Sequence, residues 1–502
     1  MRFRFLALLC GLVLFGCSGP RVVTLTLLTT NDIHGGIEQT STDRDTNRPI
    51  GGAAALASLV AAERARNPDG TLLLDGGDIY QGTALSNLTD GRSTIAAMNA
   101  LRYDAAAVGN HEFDWGIDTM VARMEQAEFP ILAANIFDKG TQTRPDWAVP
   151  YTVVKREGVR IAIIGLATPS TPTVTMPQIV AHLDFADPAL IANNLIGELV
   201  PRKADTAILL CHIGGSQRDG KISGHMLDLA AKVEGEIAVV GGHTHQRVAG
   251  VIGGTALVEA GSSMRWMGKV ELTFDRKLRE ATSSSVEILT VFADGETDPM
   301  VAALVESARA EIAPKLEEVL GRTTTALEAR RSECTMGNLI ADILRETAQV
   351  DFAFQNPGGV RASIAEGDIT YQDVYAVMPF DNTIVKVELT GAEVKTLLEE
   401  AVGDGSFLHA GGLRYTSDYA RPKGDRIVEF TKADGAAIDL AATYSVAVNN
   451  FMAQGGDSLP TITNRPESVE TGRLVRDAMI DWIRAARDVS AVIDGRSTFV
   501  NK

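Results

Sequence analysis

At 502 residues the chain is long enough for two domains, and 45% apolar with 22% charged residues is an ordinary globular composition. It excludes a mostly disordered chain, a collagen-like repeat and a polytopic membrane protein. Forty-seven basic against 64 acidic residues give a formal net charge of −17, so binding of a nucleic-acid polymer through charge alone is not expected.

The first 17 residues have the pattern of a lipoprotein signal peptide. Arg2 and Arg4 precede an apolar run of about 11 residues, which is too short to span a bilayer. Residues 14–17 read LFGC and resemble the bacterial lipobox, at which cleavage leaves the cysteine lipidated. We therefore expect secretion across the inner membrane and a lipid anchor at Cys17. The outer membrane is favoured because Ser18 is not an acidic retention signal; the alternative is a plain secretory signal with a coincidental cysteine.

Between residues 22 and 291, short apolar runs alternate with helical stretches, which is typical of a layered α/β domain. The alanine-rich segment 52–66 predicts a helix. The predicted strands cover residues 22–28, 71–74, 105–108, 130–133, 159–165, 206–210, 237–240 and 256–258.

A connecting helix is predicted next. Asp298 followed by Pro299 has the signature of a helix start, and apolar residues then recur at helical spacing. We predict a helix over residues 299–320, bent by Pro314 and stopped by Gly321.

Beyond this helix the pattern predicts a second α/β unit. Its expected strands lie near residues 351–354, 384–389, 426–431 and 444–448. The predicted organisation is a signal peptide (1–17), a first domain (22–295), a linker helix (296–321) and a second domain (322–502).

Ligand-type side chains directly follow five predicted strands of the first domain. In open α/β sheets, sites form at the carboxyl ends of strands, so these residues should lie together. Five of the chain's eight histidines are among them, and capping or surface roles at five separate strand ends would require a coincidence. The residues are Asp32 and His34, then Asp78, then Asn110, His111, Glu112 and Asp114, then His212, and finally His243 and His245.

The chemistry of this set predicts a metal centre. Asp, Asn and His suit borderline divalent metals such as Zn, Mn or Fe, and the absence of a thiolate set argues against structural zinc. Six or seven ligands are too many for one tetrahedral ion, so we predict two ions sharing one carboxylate, most naturally Asp78. Two cations about 3.5–4 Å apart can clamp a phosphoryl group and lower the pKa of a shared water.

The second half carries groups that suit a nucleotide, although no single one is diagnostic. Two loop phenylalanines, Phe380 and Phe451, could sandwich a base, which contributes roughly 1–3 kcal/mol. A carboxylate such as Asp457 can accept hydrogen bonds from both ribose hydroxyls, and arginines can bind phosphate through two hydrogen bonds. Arg330 and Arg331 are adjacent, so either of the two could be the arginine that binds the substrate.

Taken in order, the strand-end motifs resemble those of the calcineurin-like metallophosphoesterases. The segment NHEFDWG at 110–116 is narrower and is similar to the 5′-nucleotidase branch. The resemblance implies an α/β protein: a layered β-sandwich metallophosphoesterase domain flanked by helices, a connecting helix and a second α/β domain that binds substrate. It covers nearly the whole of the chain beyond residue 17.

The resemblance also implies roles for individual residues. His111 would stabilise negative charge on the phosphate in the transition state, and Asp114 would orient it and keep it protonated. The metal ligands would be Asp32 and His245 on one ion, with His34 on or beside it, Asn110, His212 and His243 on the other, and Asp78 on both. The substrate residues would be Phe380 and Phe451 as a base clamp, Asn356 and Asp457 on the nucleoside, and Arg330 and Arg361 on ribose or phosphate.

The predicted function is thus dimetal-dependent hydrolysis of extracytoplasmic 5′-nucleotides, with possible breadth to UDP-sugars or nucleoside di- and triphosphates. The resemblance leaves open 2′,3′-cyclic phosphodiesterases, NAD pyrophosphatases and thiosulfohydrolases, although paired phenylalanines favour a base. A further alternative is a nucleoside-binding surface lipoprotein without catalysis. The expected partners are a nucleotide and, through the lipid alone, a membrane; the sequence does not set the metal or the oligomeric state.

Five residues have no place in these motifs or adjoin them without a role. Cys211 and Cys334 are expected to be free and partly buried rather than bridged. His182, His225 and His409 are expected to be structural.

Overall fold

The computed structural model describes residues 20–39, 41–200, 202–403 and 405–501. The predicted signal peptide and Cys17 lie outside these residues. None of the described helices is both long enough and apolar enough to cross a bilayer.

The first domain is built on two six-stranded sheets. In spatial order the first contains Glu280–Thr290, Trp266–Asp275, Val22–Thr30, Thr71–Asp75, Ala105–Ala107 and Ile131–Leu132. The second contains Arg247–Ile252, Thr255–Ala260, Glu236–Val240, Thr206–Cys211, Val159–Leu166 and Tyr151–Arg156. Short two-stranded pairings join Ser41–Thr42 to Pro49–Ile50, Ile136–Asp138 to Leu183–Phe185, and Ser216–Arg218 to Lys221–Ser223.

The two sheets pack face to face around one apolar core. Leu25 and Leu27 of the first sheet and Ile161 and Ile163 of the second belong to this core and are fully buried. Burying each such side chain contributes about 1.5–3 kcal/mol. Because helices cover the outer faces, the central strands are buried on both sides, which explains their unbroken apolar runs.

Helices surround the sandwich. Within the described residues of the first domain they are Ala53–Arg66, Ala84–Asn87, Arg92–Leu101, Ile117–Gln126, Thr171–Val174, Pro188–Leu199 and His225–Ala230. A short 3₁₀ turn, His111–Phe113, lies among them. The predicted α/β class, with a layered sandwich flanked by helices, is confirmed.

The connecting helix spans Pro299–Leu316 and is shorter than predicted. Asp298 caps it, since its Oδ1 accepts hydrogen bonds from the backbone N–H groups of Met300 and Val301. Pro314 lies in the last turn, where its missing N–H weakens continuation of the helix. The chain then enters a strand, Val319–Thr323, so the predicted boundary at 321 falls inside an element of the second domain.

The second domain contains one five-stranded and two three-stranded sheets. In spatial order they are His409–Gly411, Phe352–Gln355, Thr443–Asn449, Thr383–Thr390 and Val469–Leu474; Gly367–Thr370, Val319–Thr323 and Asp488–Val489; and Ile427–Lys432, Leu413–Asp418 and Ser497–Val500. Its helices are Thr335–Ala348, Tyr371–Val377, Gly391–Gly403, Asn450–Ala453 and Val475–Ala486, with 3₁₀ turns at Pro357–Gly359, Gly456–Ser458 and Pro460–Ile462.

A single apolar cluster joins the two domains through the connecting helix. It contains residues of the helix Ala53–Arg66, Val301 and Leu316 of the connecting helix, and side chains of the helix Val475–Ala486. The two domains also meet in the segment that follows the strand Thr71–Asp75, since Asn87 Nδ2 donates to the carbonyl of Pro379 at 3.0 Å.

Most of the residues without an assigned role are enclosed by the fold. Cys211 and Cys334 are free as expected, but both are completely buried rather than partly so. His409 is buried and its burial lowers its pKa to about 4, whereas His225 is exposed.

Candidate metal and catalytic centre

The predicted ligands converge at one edge of the sandwich, where the strands of both sheets end. Two groups form, and within each group the potential ligand atoms lie within 4.8 Å of one another. One group is Asp32, His34 and His245, and the other is Asp78, His212 and His243.

Asp78 belongs to the second group and also lies close to the first. Its Oδ2 is 3.1 Å from His212 Nε2 and 3.7 Å from His34 Nε2, and these rings belong to different groups. This is the position required of a carboxylate shared by two ions. Asn110 belongs to the second group, since its Oδ1 is 2.9 Å from His243 Nδ1 and 3.2 Å from His212 Nε2.

Backbone carbonyls orient two of the imidazoles. Nδ1 of His34 is 2.7 Å from the carbonyl of Gln81, and Nδ1 of His212 is 2.8 Å from the carbonyl of Gly76. A proton on Nδ1 donates to the carbonyl and leaves Nε2 as the inward ligand atom, an arrangement typical of metal-binding histidines. The donor set and its orientation therefore fit two divalent cations.

The backbone at this edge is unusual. Five of the seven predicted ligands have left-handed conformations that residues other than glycine rarely adopt, at a cost on the order of 1–3 kcal/mol each. They are Asp32 (φ 49°), His34 (φ 48°), Asp78 (φ 58°), His243 (φ 81°) and His245 (φ 55°). Such conformations turn the chain sharply at the strand ends, which directs the side chains inward.

Gly77 and Gly109 leave the space these turns need. A Cβ on Gly109 would lie 2.2 Å from Asp78 Oδ1, and one on Gly77, whose φ is +93°, would lie 2.9 Å from His212 Nδ1. Neither position can accept a side chain without displacing a predicted ligand.

Two buried carboxylates that the sequence reasoning did not assign hold the ligand loops. Glu112 accepts hydrogen bonds from the backbone N–H groups of Asp78, Ile79 and Gly109 at 2.7–2.9 Å. Glu259 accepts from the N–H groups of Gly215, Thr244 and Gln246 and from the Thr244 hydroxyl. Burial raises the pKa of each to about 7.

Glu112 had a sequence signal, because it stands inside the 110–116 motif. Glu259 had a weaker one, a charged residue directly after the predicted strand 256–258.

Burial and charge together set the protonation of the centre. Burial lowers the pKa of His34 to about 3 and that of His243 to about 4, so both rings are neutral and available as ligands. Burial also opposes ionisation of Asp78, but the charges of His212 and His111 outweigh it and hold the carboxyl pKa well below its usual value.

His212 behaves differently. Burial disfavours its charge, yet the Asp78 carboxylate raises its pKa to about 10. Because a cation binds the neutral ring, we expect metal binding to release a proton from His212.

His111 and Asp114 form the predicted dyad. Nδ1 of His111 is 2.7 Å from Asp114 Oδ2, and the His111 backbone N–H donates to Asp78 Oδ1 at 2.9 Å. Burial opposes protonation, but the charges of Asp114 and Asp78 raise the His111 pKa above its ordinary value. Because Nδ1 is paired with Asp114, Nε2 is the nitrogen that remains free to contact a substrate.

A cavity of about 340 Å³ joins this centre to the second domain. The first domain contributes Asp78, Asn110, His111, Asp114, Trp115, Thr175, Met176, His243 and His245 among its walls, and the second contributes Asn356, Arg361, Phe380, Phe451 and Asp457. The volume is within the range of small-molecule sites, about 300–1,000 Å³.

Five of the six predicted substrate residues line this cavity. The Phe380 ring stacks on His111, with ring centroids 5.5 Å apart, and the Arg361 guanidinium lies 5.7 Å from the Phe380 centroid. Asn356 Nδ2 donates to Asp457 Oδ2 at 2.7 Å. Aromatic, carboxylate and cationic groups thus surround one space.

Arg330 is the exception. Its exposed guanidinium pairs with Glu328 at 2.6 Å, and the residue does not line the cavity. The predicted contact of Arg330 with ribose or phosphate stays a prediction, and in this arrangement the guanidinium lies beside Glu328 and outside the cavity. Enclosure by protein lowers the pKa of Arg361. Arg331, the neighbour of Arg330, is exposed and does not line the cavity either.

A sandwich with two Asp–His groups at its strand ends and a His–Asp dyad beside them defines a metal-dependent phosphoesterase of the calcineurin-like class. The profile described as calcineurin-like phosphoesterase matches residues 25–247, and the one described as 5′-nucleotidase, C-terminal domain, matches residues 314–465.

Three relatives match more than nine tenths of this chain. The 5′-nucleotidase of Vibrio cholerae is 31% identical over 92% of this chain and 90% of its own length. The solved 5′-nucleotidase precursor of Thermus thermophilus is 32% identical, with a TM-score of 0.85 over 96% of this chain and 100% of that one. The Endonuclease YhcR of Bacillus subtilis is 30% identical over 92% of this chain, which spans 40% of that protein.

The chain belongs to the 5′-nucleotidase family, and it is a phosphoesterase. The recognition of this family from the strand-end motifs is confirmed.

Proposed function

We propose that this enzyme hydrolyses 5′-nucleotides outside the cytoplasm and releases a nucleoside and inorganic phosphate. The observation that carries the proposal is the shared cavity, in which the metal groups and dyad of one domain face Phe380, Phe451 and Asp457 of the other. A base held by Phe380 and Phe451 and a phosphate at the metal groups would both lie within that space.

Different residues of the chain would serve different parts of the reaction, beginning with the metal ligands. When bound, two divalent cations of the Zn or Mn type supply Lewis-acid stabilisation of a phosphoryl group and acidify water. Asp32, His34 and His245 would hold one cation, Asn110, His212 and His243 the other, and Asp78 both.

The dyad would act on the same phosphate. A protonated His111 holds one proton on Nδ1 toward Asp114 and presents the other on Nε2 to the phosphate oxygens, where negative charge develops. Arg361 would add a fixed positive charge at the same end of the cavity.

A second cleft favours some breadth in substrate. It has a volume of about 510 Å³ and shares Asp114, Trp115, Ile179 and Asp381 with the main cavity. A substituent beyond the phosphate, such as the sugar of a UDP-sugar, would have room there.

A substrate panel with metal reconstitution tests this function. We expect chelated enzyme to release no phosphate and Zn or Mn to restore activity on AMP. Ribose 5-phosphate lacks the base, and the loss of roughly 1–3 kcal/mol of stacking should lower kcat/KM by about 5- to 150-fold. The panel would also contain UDP-glucose, a 2′,3′-cyclic nucleotide and NAD.

Two results would overturn the proposal. Equal kcat/KM for AMP and ribose 5-phosphate would remove the base clamp, and preference for the cyclic nucleotide or NAD would transfer the enzyme to another activity. A protein that binds adenosine but releases no phosphate with any metal would instead be a binding protein.

We further propose that Cys17 is lipidated and holds the enzyme on the periplasmic or outer surface of the cell, with the outer membrane favoured. Labelling with radioactive palmitate should place the label on the parent protein and not on Cys17→Ser, which should appear in the soluble fraction. An unlabelled parent protein in the soluble fraction would indicate a plain secretory signal.

A further inference from the structure

The dyad has a third member in the structure that the motifs do not include. Asp114 uses Oδ2 for His111, and its other oxygen, Oδ1, accepts a hydrogen bond from the hydroxyl of Thr175 at 3.0 Å. Thr175 lies 61 residues further along the chain, directly after the short helix Thr171–Val174. We propose that Thr175 is a positioning residue for the dyad, and the proposal rests on the role proposed above for His111.

The Thr175 hydroxyl is held in place. The residue is 2% exposed, and its backbone N–H donates to the carbonyl of Thr171 at 3.1 Å. Thr171 is itself completely buried, and its hydroxyl donates to the carbonyl of Thr168 at 2.7 Å. The Thr175 hydroxyl is therefore presented to Asp114 by a fixed turn.

Geometry explains what this bond does. A carboxylate bonded through one oxygen can rotate about its χ angles and carry the imidazole with it. A donor on the second oxygen fixes the carboxylate plane, and hence the direction in which His111 Nε2 points into the cavity. The bond leaves the negative charge on Asp114, since a hydroxyl donates to a carboxylate without neutralising it.

The same turn positions a predicted metal ligand. The carbonyl of Val174 accepts a hydrogen bond from Asn110 Nδ2 at 3.3 Å. This contact fixes which way the amide faces, so that Oδ1 is directed to His212 and His243. Residues 174 and 175 thus orient one side chain of the metal groups and one of the dyad.

The turn also contacts the second domain. The helix Thr171–Val174 packs against the 3₁₀ turn Gly456–Ser458, which carries Asp457 of the proposed nucleoside site. The positioning contact therefore lies between the dyad and the element that would bind the nucleoside.

Three variants separate positioning from a merely structural role. Thr175→Val keeps the shape and removes the donor, Thr175→Ser keeps the donor, and Thr173→Val is the control. Thr173 is exposed on the same turn, and its hydroxyl bonds only locally, to the carbonyl of Ser170 at 2.8 Å.

We expect Thr175→Val to lower kcat for AMP by about 10-fold, the size of one hydrogen bond to a charged group, with KM changed less than about twofold. Thr175→Ser should retain activity within about threefold of the parent, and Thr173→Val should match it. In an Asp114→Asn background, Thr175→Val should cause little further loss, because the two residues act as one unit.

Several outcomes would overturn the proposal. These are Thr175→Val turning over at the parent rate, Thr175→Ser losing as much as valine, or a full 10-fold loss persisting in the Asp114→Asn background. If valine prevents folding, as judged by circular dichroism, the serine variant and Thr175→Ala decide by the same criteria. A full loss in His111→Ala alongside unchanged Thr175 variants would sink this inference alone, whereas an active His111→Ala would sink the proposed role of the dyad.

Discussion

His111→Ala should lower kcat by about 10²- to 10⁴-fold while the protein keeps its bound metal. The ring lies beside the metal groups without belonging to either, and Asp114 and Asp78 raise its pKa, so it is suited to donate a hydrogen bond to negatively charged phosphate oxygens. The measurement pairs steady-state kinetics on AMP with metal content by elemental analysis.

His225→Ala is the matched control. That imidazole is exposed and its nearest acidic partner is Asp228 at 3.8 Å, on the same short helix, so the substitution should change neither rate nor metal content. If His111→Ala turned over like the parent, His111 would have no part in catalysis; if it lost metal, the residue would be a ligand instead.

Asp78→Asn should lose bound metal as well as rate. The Asp78 carboxylate is buried between the two groups and holds the charge that keeps His212 protonated or, with a cation present, stabilises that cation. We expect the variant to bind fewer than two metal ions per chain and to lose at least about 10³-fold in kcat/KM, since metal ions supply several kcal/mol of transition-state stabilisation.

The two variants control for each other, because one should lose rate alone and the other rate and metal together. Excess Zn or Mn should restore part of the Asp78→Asn activity. Two tightly bound ions in Asp78→Asn, with activity near that of the parent, would contradict the shared position of this carboxylate.

The convergence of the site could be predicted from the sequence because the relevant strands are parallel and buried. Strands such as Thr71–Asp75 read as continuous apolar runs, and the residues directly after each run must lie at the same edge of the sandwich. The separation of His34 and His212 into two groups could not be read in this way, since it depends on left-handed turns and on backbone carbonyls from other loops.

The sequence predicted only part of the sandwich. The long hairpin Trp266–Asp275 and Glu280–Thr290 was missed, as were the strands Tyr151–Arg156 and Arg247–Ile252. These strands flank the parallel core. Three of them, Glu280–Thr290, Tyr151–Arg156 and Arg247–Ile252, have much of their length exposed, so their side chains alternate between packing and solvent. Serines at 283–285 further weaken the apolar pattern that predicts a strand.

In the second domain, the sequence could not decide which of two arginines would contact the substrate. Arg330 and Arg331 are adjacent and chemically alike, and only tertiary structure shows that the first pairs with Glu328 away from the cavity. Thr175 had no signal at all, because a threonine after a short helix is common and its partner Asp114 is distant in sequence.

The left-handed backbone conformations of the metal groups oppose two aims in engineering this enzyme for heat resistance, namely a relaxed backbone and an intact set of metal ligands. At Asp32, His34 and Asp78, glycine would relax the backbone, yet it would delete the very atom that binds the ion. Gains in thermal tolerance must therefore come from other parts of the chain, and selection for robustness alone would erode turnover first at these positions.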